Sequence, residues 1–436
     1  MSCSPPLAFE MPPEPTRTCQ MNLSRAFLAN VAASHGPSFY LLDSPRFQDN
    51  FNRLTAAFRE HYPQTTIAYS YKTNYVPRYC ELVSQLGGFA EVVSSMEMML
   101  ALKMKVSATK VFFNGPYKEH EHALSLLQAG GTVNVDSWEE LQRICRSADT
   151  HAGEPFKLGL RCNFDVHDGV LSRFGFDVDS QEFVEAVALI DDHPKLKLSG
   201  LHCHFATRSL DCWKNRTKGM IAVIDRHFRH RLADLAHVSL GGGMYGHMPD
   251  DLKAQFPVTI PEFEDYAAAA ALPFARYFEE IGSTHRPTLI IEPGTALVAD
   301  AMKYVCQVNS IKQVRGRTVV SLTGSSYNIN PNPNRKNVPI ECFPAPEAPH
   351  RSDVSGAYFG GYTCIEGDYL YKEFNGSLAV GDFIAFDDVG SYSVVMKPPF
   401  ILPNVAIVEP LADGLDYKLI KRRETFDDIF HTYTFE

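Results

Sequence analysis

From residue 65 to residue 294, short β-branched or aromatic runs alternate with longer amphipathic ones, and eight of the runs read as strands. They are TIAYSYK (66–72), FAEVVS (89–94), KVFFNG (110–115), TVNVD (132–136), KLGLRCN (157–163), KLSGLHCH (197–204), HVSLGG (237–242) and PTLIIEPG (287–294). Segments with helical periodicity, such as EHEHALSLLQAG and SWEELQRICRSA, separate most of them. Strands joined in this way pair in parallel, and eight such units predict a closed (β/α)8 TIM barrel within the α/β class. An open doubly wound sheet is the alternative, but no second break in composition interrupts the eight units.

After about residue 303 the texture changes to alternating runs such as RTVVSLTG, GDFIAFDD and SYSVVM, with Gly, Asn and Pro turns. This predicts an all-β domain over 303–436, following an N-terminal arm (1–37) and the barrel (38–302). SFYLLD (38–43) is strand-like and is a candidate to join the β domain. The stretch 330–350, rich in Pro and Asn, reads as a long loop.

Bulk properties narrow the function classes. The net charge of −10 over 436 residues argues against nucleic acid and anionic membrane surfaces as partners. Ten cysteines without a C-x-x-C pair fit reduced thiols rather than a disulfide framework or structural zinc. The proline-rich N-terminus has no basic-then-apolar pattern, so no signal peptide is expected. No apolar run approaches the roughly 20 residues that span a bilayer. The expectation is a cytoplasmic protein acting on small molecules.

Barrel active sites lie at the C-terminal ends of the strands. Those ends carry Lys72, Asn114, Asp136, Arg161, His204, Gly241-Gly242-Gly243 and Glu292. A lysine at a strand end is ordinarily a solvated stem; at a barrel mouth it can also hold an aldehyde as a Schiff base. Three glycines suit a flexible turn or a phosphate cradle of bare N–H groups. The H-x-H of LHCHF allows a metal, but few further ligands stand at the rim, so no metal is expected. His204 instead suits a flat cofactor, with His202 structural. Glu292 serves as a rim ion pair or keeps a pyridine nitrogen protonated. Together these parts describe a site for pyridoxal 5′-phosphate.

The order YSYKTN, FAEVVS, NGPYKEHEHA, VNVDSWEEL, RCN…SRFGF, GLHCHF, SLGGG, IEPG, C-x-x-x-D and GD…GSY resembles the fold-type III pyridoxal-phosphate decarboxylases, over about residues 38–405. That group contains the diaminopimelate, ornithine/arginine and carboxynorspermidine decarboxylases and is related to alanine racemase. The resemblance implies that Lys72 binds the cofactor covalently, His204 stacks on its ring and Glu292 pairs with its nitrogen. Glu91 would lie near the cofactor and Arg161 in the wall of the site. Gly241, Gly242 and Gly243 would hold the phosphate, with Thr207 and Tyr392. Cys364 would reprotonate the substrate carbon in the neighbouring subunit's site, which implies a homodimer with shared sites. Asp368, four residues on, completes the C-x-x-x-D pattern that favours decarboxylation over racemisation. A non-catalytic relative is the remote alternative, disfavoured because Lys72 and the glycines are present.

Three positions depart from the family pattern. Thr295 follows IEPG where arginine is usual; Ile365 replaces an acid that meets the substrate's far end, with Glu366 one residue later; Thr323 replaces an aspartate of diamine-forming relatives. A bare distal ammonium would miss its carboxylates, which argues against ornithine and lysine and weakens the case for diaminopimelate. Siderophore-pathway decarboxylases, acting on diamino acids free or coupled to citrate, are similar in lacking these signatures. The loop residues Asn334, Arg335, Lys336 and Asn337 would then meet an acidic distal group, with Glu366 and Asp368 as further substrate contacts.

Overall fold

The computed structural model describes residues 21–330, 336–348 and 350–436. Its barrel strands are Thr65–Ser70, Phe89–Val92, Val111–Phe113, Thr132–Val135, Phe156–Asn163, Leu196–His202, His237–Ser239 and Thr288–Ile291. Each pairs in parallel with the next, and Leu289 opposite Thr65 closes the ring. Every expected run contributes one strand, and the fold is a TIM barrel with a separate mixed sheet.

Four of the barrel helices start where serines stand ahead of them. Ser94, Ser137, Ser180 and Ser209 each accept a hydrogen bond from a backbone N–H in the first turn, satisfying donors that a helix leaves free. Glu97 and Glu140 reach back to the N–H groups of Val93 and Asp136 at 2.7 and 2.8 Å. These two glutamates therefore fix the chain as it leaves the second and fourth strands, just where site residues are needed.

The first barrel strand stops earlier than its alternation suggests. It ends at Ser70, and Tyr71–Thr73 form a 3-10 turn carrying Lys72. Tertiary hydrogen bonds explain the difference. Ser70 N–H donates to Pro293 O at 3.0 Å, and Asn74 Nδ2 donates to Gly390 O at 2.8 Å, drawing the chain off the sheet.

Phe39–Leu42 lies in the second sheet, antiparallel to Met302–Val305 and parallel to Ala406–Val408. Within the stretch read as an arm, Arg25–His35 is a helix. Phe27, Leu28 and Val31 recur on one face and bury against Phe39, Leu41 and Val305. Arg25 anchors it by donating to the carbonyls of Phe343 and Gly381, both at 3.0 Å. Among the described residues no helix is long and apolar enough to cross a membrane.

Candidate active site

Because all eight strands run the same way, their C-terminal ends gather at one mouth. Lys72 stands there with its side chain 30% exposed, and its Nζ donates to Glu91 Oε2 at 2.7 Å. Burial lowers the amine's pKa, but Glu91 and more weakly Glu292 outweigh it, leaving it above the ordinary lysine value. Ser70 Oγ also bonds Glu91 Oε2. Asn114 Nδ2 bridges the two carboxylates, 3.3 Å from Glu91 Oε1 and 3.0 Å from Glu292 Oε1.

Glu292 is 3% exposed. An ion buried this far costs several kcal/mol unless donors surround it. Ser239 Oγ donates to its Oε1 at 2.6 Å, and His202 Nε2 lies 3.2 Å from its Oε2. Burial pushes the carboxyl up, but His202 and the Ser239 bond prevail and hold it down at about 2. A hydrogen bond to a charged group contributes about 1.5–3 kcal/mol, so three of them offset the desolvation. The carboxylate is therefore ionised at neutral pH.

His204 stays neutral. Burial depresses its pKa well below the usual value, and Lys72 and Arg216 add to the effect. Its Nδ1 accepts from Gly242 N–H at 3.0 Å, which places the ring proton on Nε2 and fixes the ring over the mouth. This contact corrects the picture of three bare glycine N–H groups. Gly241 N–H donates to Ser239 Oγ at 3.1 Å, so only Gly243 keeps an N–H without a partner among the described residues. The glycines are needed for space instead. A Cβ at Gly241 would lie 2.4 Å from Cys203 O, and one at Gly242 would lie 2.2 Å from Glu292 O.

Of the other expected residues, Arg161 donates to Asp136 Oδ1 at 3.0 Å and lies over the Phe174 ring, forming wall. Tyr392 is held by its N–H donating to Thr73 O at 2.9 Å, close enough to Lys72 to act on its charge. Its φ of 57° is strained for a bulky residue, a cost of about 1–3 kcal/mol that tertiary contacts must maintain. The Thr207 carbonyl faces Arg216.

Cys364 and Glu366 are exposed on a turn and form no hydrogen bond or ion pair with the Lys72 cluster. Asp368 is corrected: it is no open substrate contact, because its carboxylate is buried and occupied. Oδ1 accepts from Ser326 N and Oγ at 2.8 and 2.6 Å, and Oδ2 from Thr363 Oγ1 at 2.7 Å, bracing the turn that presents Cys364. Arg335 and Asn334 lie outside the described residues. Asn337 is tied to Gln255 and Lys372. No group of three or more His, Cys, Asp or Glu among the described residues is placed to hold a metal ion.

Sequence reasoning passed over Ser239 and Ser70, and gave His202 only a structural part although it carries the second oxygen of Glu292. Alternation places His202 and Ser239 on inward faces, but their convergence on one carboxylate is a cross-strand fact.

A half-open amine paired with a carboxylate, an ionised buried acid and a glycine loop whose Gly243 N–H has no partner among the described residues fit pyridoxal phosphate. A closed barrel with that mouth defines a pyridoxal-phosphate enzyme. Residues 48–299 match the family model of the pyridoxal-dependent decarboxylases, pyridoxal binding domain, and the chain belongs to that family. It is a PLP-dependent carboxy-lyase acting on amino acids. The diaminopimelate decarboxylase of Methanocaldococcus jannaschii is 26% identical over 425 residues, covering 92% of this chain and 91% of the relative. An L-glutamyl-[BtrI acyl-carrier protein] decarboxylase of Niallia circulans is 26% identical over 437 residues, covering 94% and 97%. The crystal structure of the M. jannaschii diaminopimelate decarboxylase superposes with a TM-score of 0.79 at 24% identity, over 93% of this chain and 94% of that one.

Proposed function

We propose that the enzyme removes the α-carboxylate of a diamino acid of the kind used in siderophore assembly, in the form coupled to citrate, whose far end is acidic. The observation that carries this reading is the charge of a cavity of about 660 Å³ bounded by Tyr392, Thr295, Arg208 and Lys336. Arg208 Nη2 donates to Thr295 Oγ1 at 3.2 Å, so a guanidinium stands beside the residue that replaces the expected arginine. Neither cation has an ion-pair partner among the described residues; they lie over the rings of Tyr245 and Phe256. Asp388 also borders the cavity, and burial, then Asp300 and Asp387, raise its pKa well above the ordinary carboxyl value, which disfavours its charged form there.

The far-end ammonium of a simple diamine precursor is poorly served. Thr323 Oγ1 is engaged with Ser38 Oγ and Gln307 N, both at 2.8 Å, and Ile365 is apolar. Diaminopimelate is the second reading, supported by the names of the relatives and by a distal carboxylate that Arg208 would suit. The carrier-protein decarboxylase among the relatives supports a site on this scaffold that admits a large distal group.

Bound at the mouth, pyridoxal phosphate supplies the electron sink for the pair left when the bond to the α-carboxylate breaks. Lys72 would hold the cofactor's aldehyde, and Glu91 Oε2, 2.7 Å from its Nζ, would take the proton the amine must shed to react. Glu292 would hold a proton at the ring nitrogen, and neutral His204 would lie against the ring. Gly243 N–H, with Thr207 and Tyr392, would bind the phosphate. Cys364 Sγ supplies the proton that replaces CO2 at the substrate carbon. Its exposed thiol, bonded to none of the residues around its own Lys72, supports service in the site of a second copy, hence a homodimer.

Two measurements test these points. Steady-state assays should give a citrate-coupled diamino acid a kcat/KM at least about 100-fold above ornithine, lysine and diaminopimelate, and Arg208→Ala should raise its KM about tenfold with little loss in kcat. Efficient turnover of any free diamine precursor, or an unchanged KM in the variant, contradicts the substrate reading. Mixing inactive Lys72→Ala and Cys364→Ala chains should restore about a quarter of wild-type activity, because half the dimers are mixed and each holds one intact site. No recovery means that Cys364 does not act across subunits.

A further inference from the structure

Arg216 lies on the helix Leu210–Val223 and is 0% exposed, yet it forms no ion pair among the described residues. Lone guanidinium groups are rarely buried, because the charge loses its hydration and gains no counter-ion. This one is turned toward backbone. Nη1 donates to Leu240 O at 2.9 Å and Gly242 O at 2.6 Å, and Nη2 donates to Phe205 O at 2.8 Å. Its Cζ lies 4.2 Å from the centroid of the Trp213 ring, whose Nε1 donates to Gly243 O at 3.0 Å. The Nε of Arg216 has no partner. Trp213 and Arg216 are three residues apart, so one helix face backs the whole glycine loop.

We propose that Arg216 is the positioning residue of the phosphate site: its fork turns the loop carbonyls inward, and its charge, unmatched by any side chain, is matched by the cofactor's phosphate. The inference rests on the assignment of the phosphate to the 241–243 loop. Arginine suits this work better than lysine, since a rigid planar fork bonds two backbone segments at once and remains charged when buried. With the carbonyls of Leu240, Gly242 and Phe205 held on the helix side, the Gly243 N–H and the positive field are left for an anion on the other side.

The full-length apoprotein can be titrated with pyridoxal 5′-phosphate and, separately, with pyridoxal, which lacks the phosphate. Arg216→Met should lower the preference for the phosphorylated form at least about tenfold while pyridoxal affinity stays within about twofold. It should also abolish the thermal stabilisation that inorganic phosphate gives the wild-type apoprotein. Equal weakening of both ligands means a merely structural role and overturns the proposal. Should Arg216→Met fail to fold, Arg216→Lys keeps the charge and loses the fork. A several-fold loss confined to the phosphorylated ligand then supports the proposal, and an equal loss for both ligands defeats it. Gly243→Ala separates the two layers of the argument, because Gly243 has φ +90° and a Cβ there would lie 3.0 Å from Phe205 O. If Gly243→Ala removes the preference and Arg216→Met does not, the loop holds the phosphate and Arg216 does not set it. If neither changes the preference, the loop assignment itself is wrong.

Discussion

Lys72→Ala is expected to lower kcat by at least about 10⁴ while leaving the fold intact. No neighbouring amine can take over. Lys118 is another buried lysine of the barrel, and its Nζ is committed to Glu140 at 2.8 and 3.1 Å. Glu91 would not be stranded by the substitution, since Ser70 and Asn114 still donate to it. Stability should therefore change little, and circular dichroism with a thermal melt separates loss of chemistry from loss of fold. Retention of more than about 1% of wild-type kcat would mean that Lys72 is an ion-pairing rim residue after all.

The second large effect concerns charge rather than covalency. Glu292→Gln keeps size and shape but removes the anion, and kcat should fall about 10²–10³-fold with cofactor affinity changed far less. The sign with pH follows from the depressed pKa. A carboxyl held at about 2 when folded and near 4.5 when unfolded stabilises the fold above about pH 4.5. That contribution is lost as the pH falls from about 4.5 toward 2. In the variant this part of the acid destabilisation should be missing from a pH series of melts. At neutral pH Glu292 is already ionised, so the acid limb of wild-type activity must belong to another group. A kcat within about fivefold of wild type would show that the anion is not needed where the barrel places it.

The sequence made the scaffold readable because strands and helices are local patterns, and a parallel strand buried on both faces leaves a short apolar run. The chemistry-bearing ends of those runs were readable for the same reason: Lys72, His204 and Glu292 interrupt apolar runs at the point where a barrel opens. What could not be read is what depends on contact between distant segments. The turn at Tyr71–Thr73 exists because Ser70 bonds Pro293 and Asn74 bonds Gly390, more than 200 positions away in sequence. Arg216 looks like one more cation on a basic helix until the fold turns it onto the loop carbonyls. Asp368 was misread because a carboxylate near a reactive cysteine suggests chemistry, whereas five donors from Ser325, Ser326 and Thr363 occupy it. The helix Arg25–His35 was missed although Ser24 and the spacing of Phe27, Leu28 and Val31 announce it; the proline-rich stretch before it dominated the reading.

The central claim is that Lys72 carries the cofactor on which decarboxylation depends. Its most direct test is to load the full-length protein with pyridoxal 5′-phosphate, reduce it with borohydride and map the modified peptide by mass spectrometry. The predicted result is one phosphopyridoxyl group per chain, on Lys72, with decarboxylation lost in step with labelling. Labelling at another lysine, or full activity after Lys72 has been labelled, would contradict it.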